Sequence, residues 1–372
     1  MKPGATAVKH FCQVAMNSVG GEGGSAARAC GAVCERVAVS DRADEHAPGA
    51  AARAPGHEHH HAPAWALSLA FVVGVLVVVQ SRSNGELAVA VQDGLFAAVL
   101  SFSTGAAILL VLIAARRPTR HALRVSLPAL LRARELRWWH LIGGLGGALL
   151  VAGQGIAVPL LGVALFTVGM VAGNTGTSLV VDRTGIGPGV PRPLTARRVV
   201  AAVGVTAAVA LAVSGRFSSG DLVVWAVVLV LVAGAGTALQ SAVNGQVAVR
   251  TGDPIAATSV NFAVGFTALL SALAIEHLAG HAWIAPPPPW EEPWLWLGGP
   301  VGVAFIATAT IVVKPLGVLL FGLLNISGQL AGSLVSDLVF PTQGTVVGWQ
   351  LLAGMGLTAA SVALAATRPR RR

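Results

Sequence analysis

Long apolar runs constrain this chain more than any other feature. Nearly uninterrupted apolar stretches cover residues 94–115, 142–158 and 222–239. A helix that crosses a bilayer needs roughly 20 mostly apolar residues. The strands of a membrane barrel would instead alternate polar and apolar positions, which these runs do not do. Only 11% of the residues are charged, against about 25% in an ordinary soluble domain. The sequence therefore predicts an all-α membrane protein with several spans.

Ten transmembrane helices are predicted, with boundaries accurate to a few residues. Each is long enough for the hydrocarbon layer when the flanking residues are included. The predicted spans cover residues 64–84, 94–115, 138–158, 160–181, 197–215, 221–246, 254–275, 294–313, 315–337 and 346–366.

The segment 1–63 differs from the rest of the chain in composition. It is rich in Ala and Gly, mixed in charge and poor in large apolar side chains, so we expect a disordered tail. The run from His57 to His61 could bind a metal loosely, but a solvated tail, or a start codon assigned too early, is the favoured interpretation. The three cysteines all lie in this segment, without further ligands at zinc-site spacing. The sequence predicts no metal site and no cofactor.

A polar signature ends the first span and recurs in the sixth. The letters "QSRSNG" from Gln80 match "QSAVNG" from Gln240, 160 residues later. We interpret the chain as a five-helix unit that is duplicated and fused, with a first half at 64–215, a second half at 221–366 and a basic C-terminus at 367–372. Two longer matches support this interpretation: "DGLFAAVLSFSTG" from Asp93 with "DPIAATSVNFAVG" from Asp253, again at an offset of 160, and "GNTGTSLVVD" from Gly173 with "GQLAGSLVSD" from Gly328, at an offset of 155.

The odd number of spans per unit predicts that the two halves are inverted. A five-helix unit starts and ends on opposite sides, so the second copy enters the membrane upside down. With both termini inside, the predicted inner loops and C-terminus hold 17 Lys and Arg, whereas the outer loops hold two, Arg82 and Arg216. Positive loops mark the cytoplasmic side, which predicts N-in and C-in topology in the cytoplasmic (inner) membrane. Inverted repeats recur in secondary transporters, which open a central site alternately to each side.

Three short motifs occur in the same order in both halves and carry a family resemblance. They are Q-S-x-x-N-G, S/N-F-x-x-G and G-N/Q-x-x-x-S-L-V-x-D. With them, residues 65–366 resemble two fused units of the YdcZ-type inner-membrane exporter family of the drug/metabolite transporter superfamily. The resemblance implies a ten-helix transporter with a central cavity between pseudo-symmetric halves, and it implies no substrate. Relatives of the small multidrug resistance branch couple protons through a first-helix glutamate, which has no counterpart here before Gln80 or Gln240.

Matched polar side chains inside the spans are the candidate substrate-binding residues. Gln80 and Asn84 are four residues apart and share a helix face. An amide in hydrocarbon is costly without partners, so we expect these side chains inside the bundle. They could bind a solute, or only lock helices together at about 0.6 kcal/mol per pair. The serines could instead bond to their own helix. The full candidate set is Gln80, Asn84, Gln240, Asn244, Ser101, Asn261, Asn174, Gln329, Ser178 and Ser333.

Two pairs of aspartates have different predicted roles. Asp182 and Asp337 end the third motif, where the helix macrodipole disfavours a carboxylate, so they are candidates for ion coupling or for salt bridges, Asp182 having Arg183 next to it. Asp93 and Asp253 each precede a span and are predicted N-caps. Small-residue spacings predict close helix approach. These spacings are Gly169/Gly173, Gly328/Gly332 and Gly344/Gly348.

These features favour a secondary transporter that exports a small organic solute, and not an enzyme. The alternatives are a membrane-embedded lipid-modifying enzyme and a non-transporting scaffold, but the predicted spans hold no cluster of His and acidic residues. A primary pump would need an ATP-binding motif, and the sequence has none. The arginines at 116–137 could contact anionic lipid or serve only as a topology signal. No nucleic-acid partner is predicted, because no aromatic residues interleave with the basic ones. The oligomeric state stays open.

Overall fold

The computed structural model describes residues 63–187, 195–217, 224–282, 284–342 and 345–366. Several predictions concern residues outside these ranges. The tail up to residue 62 is among them, with its cysteines and histidine run, and so are the arginines of the 188–194 loop and of the C-terminus. Gly344, half of one predicted glycine pair, also lies outside the described residues.

Helices make up all the regular structure in the described ranges, where no strand occurs. Short helical turns lie between the longer elements, at Trp138–Leu141 and Pro293–Trp296. The longer helices are α1 (Ala64–Val91), α2 (Gly94–Ala115), α3 (Gly144–Leu161), α4 (Val163–Thr184), α5 (Ala196–Phe217), α6 (Val224–Thr251), α7 (Pro254–Leu278), α8 (Gly298–Val339) and α9 (Trp349–Ala366).

The described helices fit a membrane environment. Seven of them, α1 to α7, are long and apolar enough to cross a bilayer, α3 with the short turn that precedes it. Large apolar side chains remain exposed along their outer faces, such as Val111 at 68% and Ile275 at 69%. Such surfaces are normal against lipid and costly against water. The prediction of an all-α membrane fold is confirmed.

Two predicted spans, 294–313 and 315–337, coincide with the single 42-residue helix α8, except that residues 294–297 lie before its start. A straight helix of this length would measure about 63 Å, twice the hydrocarbon layer. The contacts along α1 show instead that α8 folds back on itself. Gly302 approaches Gln80, and Val312 packs near Ala66, at the start of α1. The chain then returns, because Gly328 touches Phe71 and Gly332 lies against Val78.

The predicted N-caps at Asp93 and Asp253 are confirmed. Asp93 Oδ1 accepts a hydrogen bond from the Phe96 N–H at 2.7 Å, at the start of α2. Asp253 Oδ1 accepts one from the Ile255 N–H at 2.8 Å, with Pro254 in the first turn of α7. Its second oxygen accepts from the Thr119 hydroxyl at 2.6 Å. That bond ties the basic segment between α2 and α3 to the start of α7.

The basic segment 116–137 is helical and amphipathic. It consists of Arg117–His121, a π-helical turn at Ala122–Ser126, and Leu127–Arg132. Leu127 and Leu136 are buried and form a small apolar cluster with residues of α6 and α7. Most of the arginines are exposed. The segment therefore covers the ends of α6 and α7 with its apolar side. Its positively charged side points away from the helices.

Close approaches between helices of different halves occur at the glycines. A Cβ on Gly328 would overlap the Phe71 carbonyl oxygen of α1, and one on Gly173 of α4 would overlap the Leu231 carbonyl oxygen of α6. Phe71 and Leu231 are 160 residues apart, as the repeat predicts, and the two glycines are 155 apart. Gly74 of α1 lies in turn against the backbone of α8, and Gly234 of α6 lies against the backbone of α4. The first helix of each half thus packs directly on the fourth helix of the other half.

The glycine contacts predict that Gly328→Ala destabilises the protein. The added methyl group would meet the Phe71 carbonyl, and overpacking of this kind costs about 1–3 kcal/mol. The matched control is Gly322→Ala in the same helix, where nothing lies within 4 Å of the added Cβ. Removing a glycine from a helix gains up to about 1 kcal/mol, so the control should be neutral or stabilising.

The midpoint of thermal unfolding is measured for both variants, purified in detergent. Loss of the monodisperse peak in size-exclusion chromatography reports unfolding. A midpoint that falls equally in both would contradict the packing described here.

Candidate functional site

The first polar cluster joins α1 to α3 through a chain of hydrogen bonds. Asn84 Nδ2 donates to Gln154 Oε1 at 2.6 Å, and Gln154 Nε2 donates to Ser81 Oγ at 2.9 Å. Ser81 in turn donates to the Val77 carbonyl at 2.9 Å. Asn84 and Gln154 are both fully buried. Because the serine gives its proton to the backbone, it must accept from Gln154, and this fixes the orientation of both amides.

This orientation leaves one acceptor without a donor. Asn84 Oδ1 is buried and has no hydrogen-bond partner within the described part of the chain. It points at the Cα of Gly298, where an added Cβ would overlap it. A Cα–H group is only a weak donor. A fully desolvated amide oxygen with so weak a partner is the kind of group that costs stability unless something else binds it.

The second cluster lies in the other half and joins α6 to α7. Asn244 Nδ2 donates to Asn261 Oδ1 at 2.8 Å, and Asn261 is 3% exposed. Asn244 Oδ1 points at Gly143, where an added Cβ would again overlap it. Gln240 is close to the same group: a Cβ on Gly147 would lie 3.2 Å from Gln240 Nε2 and 3.3 Å from Asn261 Nδ2. Asn244, Asn261 and Gln240 therefore lie together in one polar cluster.

The two clusters make the same contacts with the opposite half. Gln80 lies against Gly302, where an added Cβ would be 3.1 Å from Gln80 Nε2. Gln240 lies against Gly147 in the same way, with a distance of 3.2 Å from the added Cβ to Gln240 Nε2. Gly302 and Gly147 are 155 residues apart. Asn84 meets Gly298 as Asn244 meets Gly143. Each polar motif is thus completed by a glycine from the other half of the chain.

An aromatic pair lies between the two halves of this arrangement. Phe102 and Phe262, which are 160 residues apart, contact each other with ring centroids 4.9 Å apart. Phe262 also packs against Gly105, and Phe102 packs against Gly265, the equivalent glycine of the other half. Ser101, next to Phe102, is buried beside Gly298 and Asn84, so it belongs to the first cluster.

The remaining predicted polar residues form two smaller groups. Asn174 Nδ2 donates to Thr237 Oγ1 at 2.9 Å, and Ser178 lies 3.4 Å from Asn174 Oδ1. Gln329 Nε2 donates to Asn325 Oδ1 within α8 at 2.5 Å. Ser333 is buried and bonds to the Leu330 carbonyl of its own helix, the alternative that its sequence position left open. The predicted residues thus form four separate groups and do not line one described cavity.

The two aspartates of the third motif have different partners. Asp337 is 2% exposed, and its two oxygens accept the Val163 N–H at 2.9 Å and the Ala164 N–H at 2.8 Å. It therefore caps the N-terminus of α4, where a negative charge is favourable. Asp182 forms a partly exposed ion pair with Arg198 of α5, and not with the adjacent Arg183.

A cavity of about 480 Å³ opens at the end of α1, beside the α3–α4 turn. Arg82 lines it, paired with Glu86 and bonded to the Phe340 carbonyl oxygen. Its guanidinium also lies 5.4 Å from the centre of the Phe340 ring. Glu292 and Trp294 form the opposite wall. Ser83 holds that wall in place by donating to the Trp294 carbonyl at 2.8 Å.

Sequence reasoning missed two buried amides that complete these groups. Gln154 and Asn325 have no polar counterpart in the other half, because the equivalent positions hold Ala309 and Met170. A search for duplicated polar residues cannot find them. Their signal was a lone amide within an apolar span, which by itself predicts an interior-facing side chain.

The fold and these groups define a polytopic helical membrane protein with matched polar motifs in two halves. Comparison with known families shows the family to which it belongs. The family described as "Putative inner membrane exporter, YdcZ" matches residues 65–211 and again residues 225–364. The chain belongs to this family and contains it twice, as the resemblance implied. An exporter family agrees with the expectation that the chain is not an enzyme.

A solved structure titled "Crystal structure of protein" is similar over 81% of this chain and 95% of its own, with 21% sequence identity and a TM-score of 0.48. No curated protein matches the sequence.

The different partners of the two aspartates predict different costs for their removal. Asp337→Asn should destabilise the protein by about 1–3 kcal/mol, because an amide accepts only one of the two N–H groups and loses the charge that favours the helix terminus. Asp182→Asn should cost less than about 1 kcal/mol, since its ion pair is partly exposed.

Thermal unfolding midpoints of the two variants in the same detergent test this order. A larger loss for Asp182→Asn than for Asp337→Asn would contradict the assignment of Asp337 as the cap of α4.

Proposed function

We propose that this protein is a secondary active transporter that exports a small organic solute across the cytoplasmic membrane by alternating access. Membership of the exporter family supports transport as the general activity. We propose in addition that an ion gradient drives the transport, that the solute is organic and that the mechanism is alternating access.

One observation carries the mechanism: each polar motif is completed by a glycine of the other half. Gln80 and Asn84 lie against α8, whereas Gln240 and Asn244 lie against the start of α3. If one half rocks against the other, the amide-to-glycine contacts must open or shift. Asn84 Oδ1, which has no donor, then gains access to a hydrogen-bond donor of a solute. A rocking motion would therefore act directly on these amides, which supports a role in binding the solute.

We propose ten spans, with α8 supplying two of them, and two inverted halves with both termini in the cytoplasm. The contacts that repeat at offsets of 160 and 155 residues support a shared architecture for the halves. The exposed arginines of the segment 116–137 support a cytoplasmic location for that segment. In this orientation, the cavity beside Arg82 faces outward and the Asp182–Arg198 pair faces inward.

Within this mechanism, the candidate residues divide into two roles. The amides around the Phe102–Phe262 pair would bind the solute: Gln80, Asn84, Gln240, Asn244 and Asn261, together with Ser101. The amides at Asn174 and Gln329, with Ser178, would line the approach to it, whereas Ser333 is buried and bonds to its own helix. Asp182 is the better coupling candidate of the two aspartates, because its ion pair with Arg198 is partly exposed to solvent, whereas both oxygens of Asp337 accept backbone N–H groups.

The protein reconstituted in liposomes with an internal pH-sensitive dye tests transport directly. Cationic, zwitterionic and neutral metabolites are screened for solute-dependent proton movement. If no solute moves and no proton leak appears, the proposal is wrong.

Once a solute is found, Gln80→Leu and Gln240→Leu should each lower its transport rate. Losing one hydrogen bond to the solute corresponds to roughly a fivefold to tenfold effect. Ser241→Ala is the control in the same motif, because Ser241 is exposed and bonds only to its own helix at Thr237. Equal rates in all three variants, at equal protein stability, would assign the glutamines to helix packing alone.

Replacing Asp182 and Asp337 by Asn, singly and together, tests coupling. We expect the pH dependence of transport to change with Asp182→Asn and to stay the same with Asp337→Asn. An unchanged pH profile in all variants would exclude both carboxylates from coupling.

A further inference from the structure

The cavity at the end of α1 carries a set of charges that the repeat does not explain. Its wall includes Arg82, Glu86 and Glu292. At the offsets of the repeat, the equivalent positions hold Ala242, Gln246 and Arg137. Packing that both halves share therefore does not require these charges. At the position of Glu292 the other half even has the opposite charge.

The charges inside the cavity are unequally satisfied. Arg82 is engaged three times, by Glu86, by the Phe340 carbonyl and by the Phe340 ring. Glu292 begins the short helix Pro293–Trp296, and its side chain makes no capping bond there. With Arg82 and Glu86 neutralising each other, the lining carries one net negative charge, and it lies on Glu292.

The rest of the wall is apolar. Pro159, Trp294 and Pro341 surround the charged groups, and Trp294 is about half exposed. Binding sites for small molecules combine an apolar surface with a few placed polar groups, and an aromatic face attracts cations. The size of about 480 Å³ falls within the range of ligand pockets.

We propose that this cavity binds an organic cation with an apolar body, whose charged group pairs with Glu292 and whose body packs on Trp294. The proposal deepens the proposed function and rests on it in one respect: in the N-in orientation this cavity is the exit-side site of an exported cation. The binding itself can be measured without transport.

The experiment uses the full-length protein in detergent with benzyltrimethylammonium as the probe and benzoate as the anion of similar size. Isothermal titration calorimetry gives the affinities. We expect the cation to bind more tightly than benzoate, and its affinity to fall when salt rises from about 20 mM to about 300 mM, because a half-exposed charge pair is screened.

Glu292→Gln should weaken binding of the cation about fivefold, the upper range for a partly exposed charge pair. The matched control is Glu291→Gln: Glu291 is the neighbouring carboxylate, is exposed and does not line the cavity. It should leave the affinity unchanged. Glu292→Lys reverses the charge of the wall and should make benzoate the better ligand. Thermal unfolding midpoints confirm that each variant is folded.

The outcomes separate the site from the function. Equal affinities of Glu292→Gln and Glu291→Gln for the cation, or equal binding of cation and benzoate by the unchanged protein, would overturn the site. A protein that binds the cation through Glu292 but moves no solute in liposomes keeps the site and refutes the transporter. A protein that transports while Glu292→Gln binds the cation normally keeps the transporter and refutes the site.

Discussion

The direct contact between helix backbones of opposite halves is the constraint on which the other features depend. Gly74 and Gly328 allow α1 and α8 to touch without side chains between them, and Gly234 and Gly173 do the same for α6 and α4. In lipid, burial of apolar surface does not drive helices together, so close packing must supply the attraction. The amides of α1 and α6 contact other glycines of the opposite half, such as Gly302 and Gly147, so glycine also makes room for the polar motifs.

Much of this arrangement could be predicted because the chain contains it twice. The duplication identified the amides at 80, 84, 240 and 244, and the helix caps at Asp93 and Asp253 followed from local chemistry. Partners that exist in one copy could not be found in this way, as Gln154 and Asn325 show. Nor could the sequence pair Gln80 with Gly302, because contacts between halves depend on how the helices cross. The helices α1 and α6 extend past the predicted ends at 84 and 246, to Val91 and Thr251, because polar residues that resemble a helix terminus lie inside both helices.

Equivalent residues can have different duties once a repeat is fused. Asp182 and Asp337 end the same motif, yet one pairs with an arginine of α5 and the other caps α4. The cap forms at Gly162, which separates α3 from α4. Gly162 has a positive φ of 78°, a value that glycine adopts easily. The local geometry of the turn therefore decides what the carboxylate does.

The Phe102–Phe262 contact has a consequence for how such a protein can evolve. In a dimer of identical five-helix units, a residue at this position would face its own copy, and every substitution would appear twice in the same contact. A charge would then meet a like charge, and a larger side chain would collide with itself. Fusion into one chain removes this restriction, because each copy mutates alone. Arg82 and Glu86, whose equivalents are Ala242 and Gln246, are differences that a dimer of identical chains could not carry.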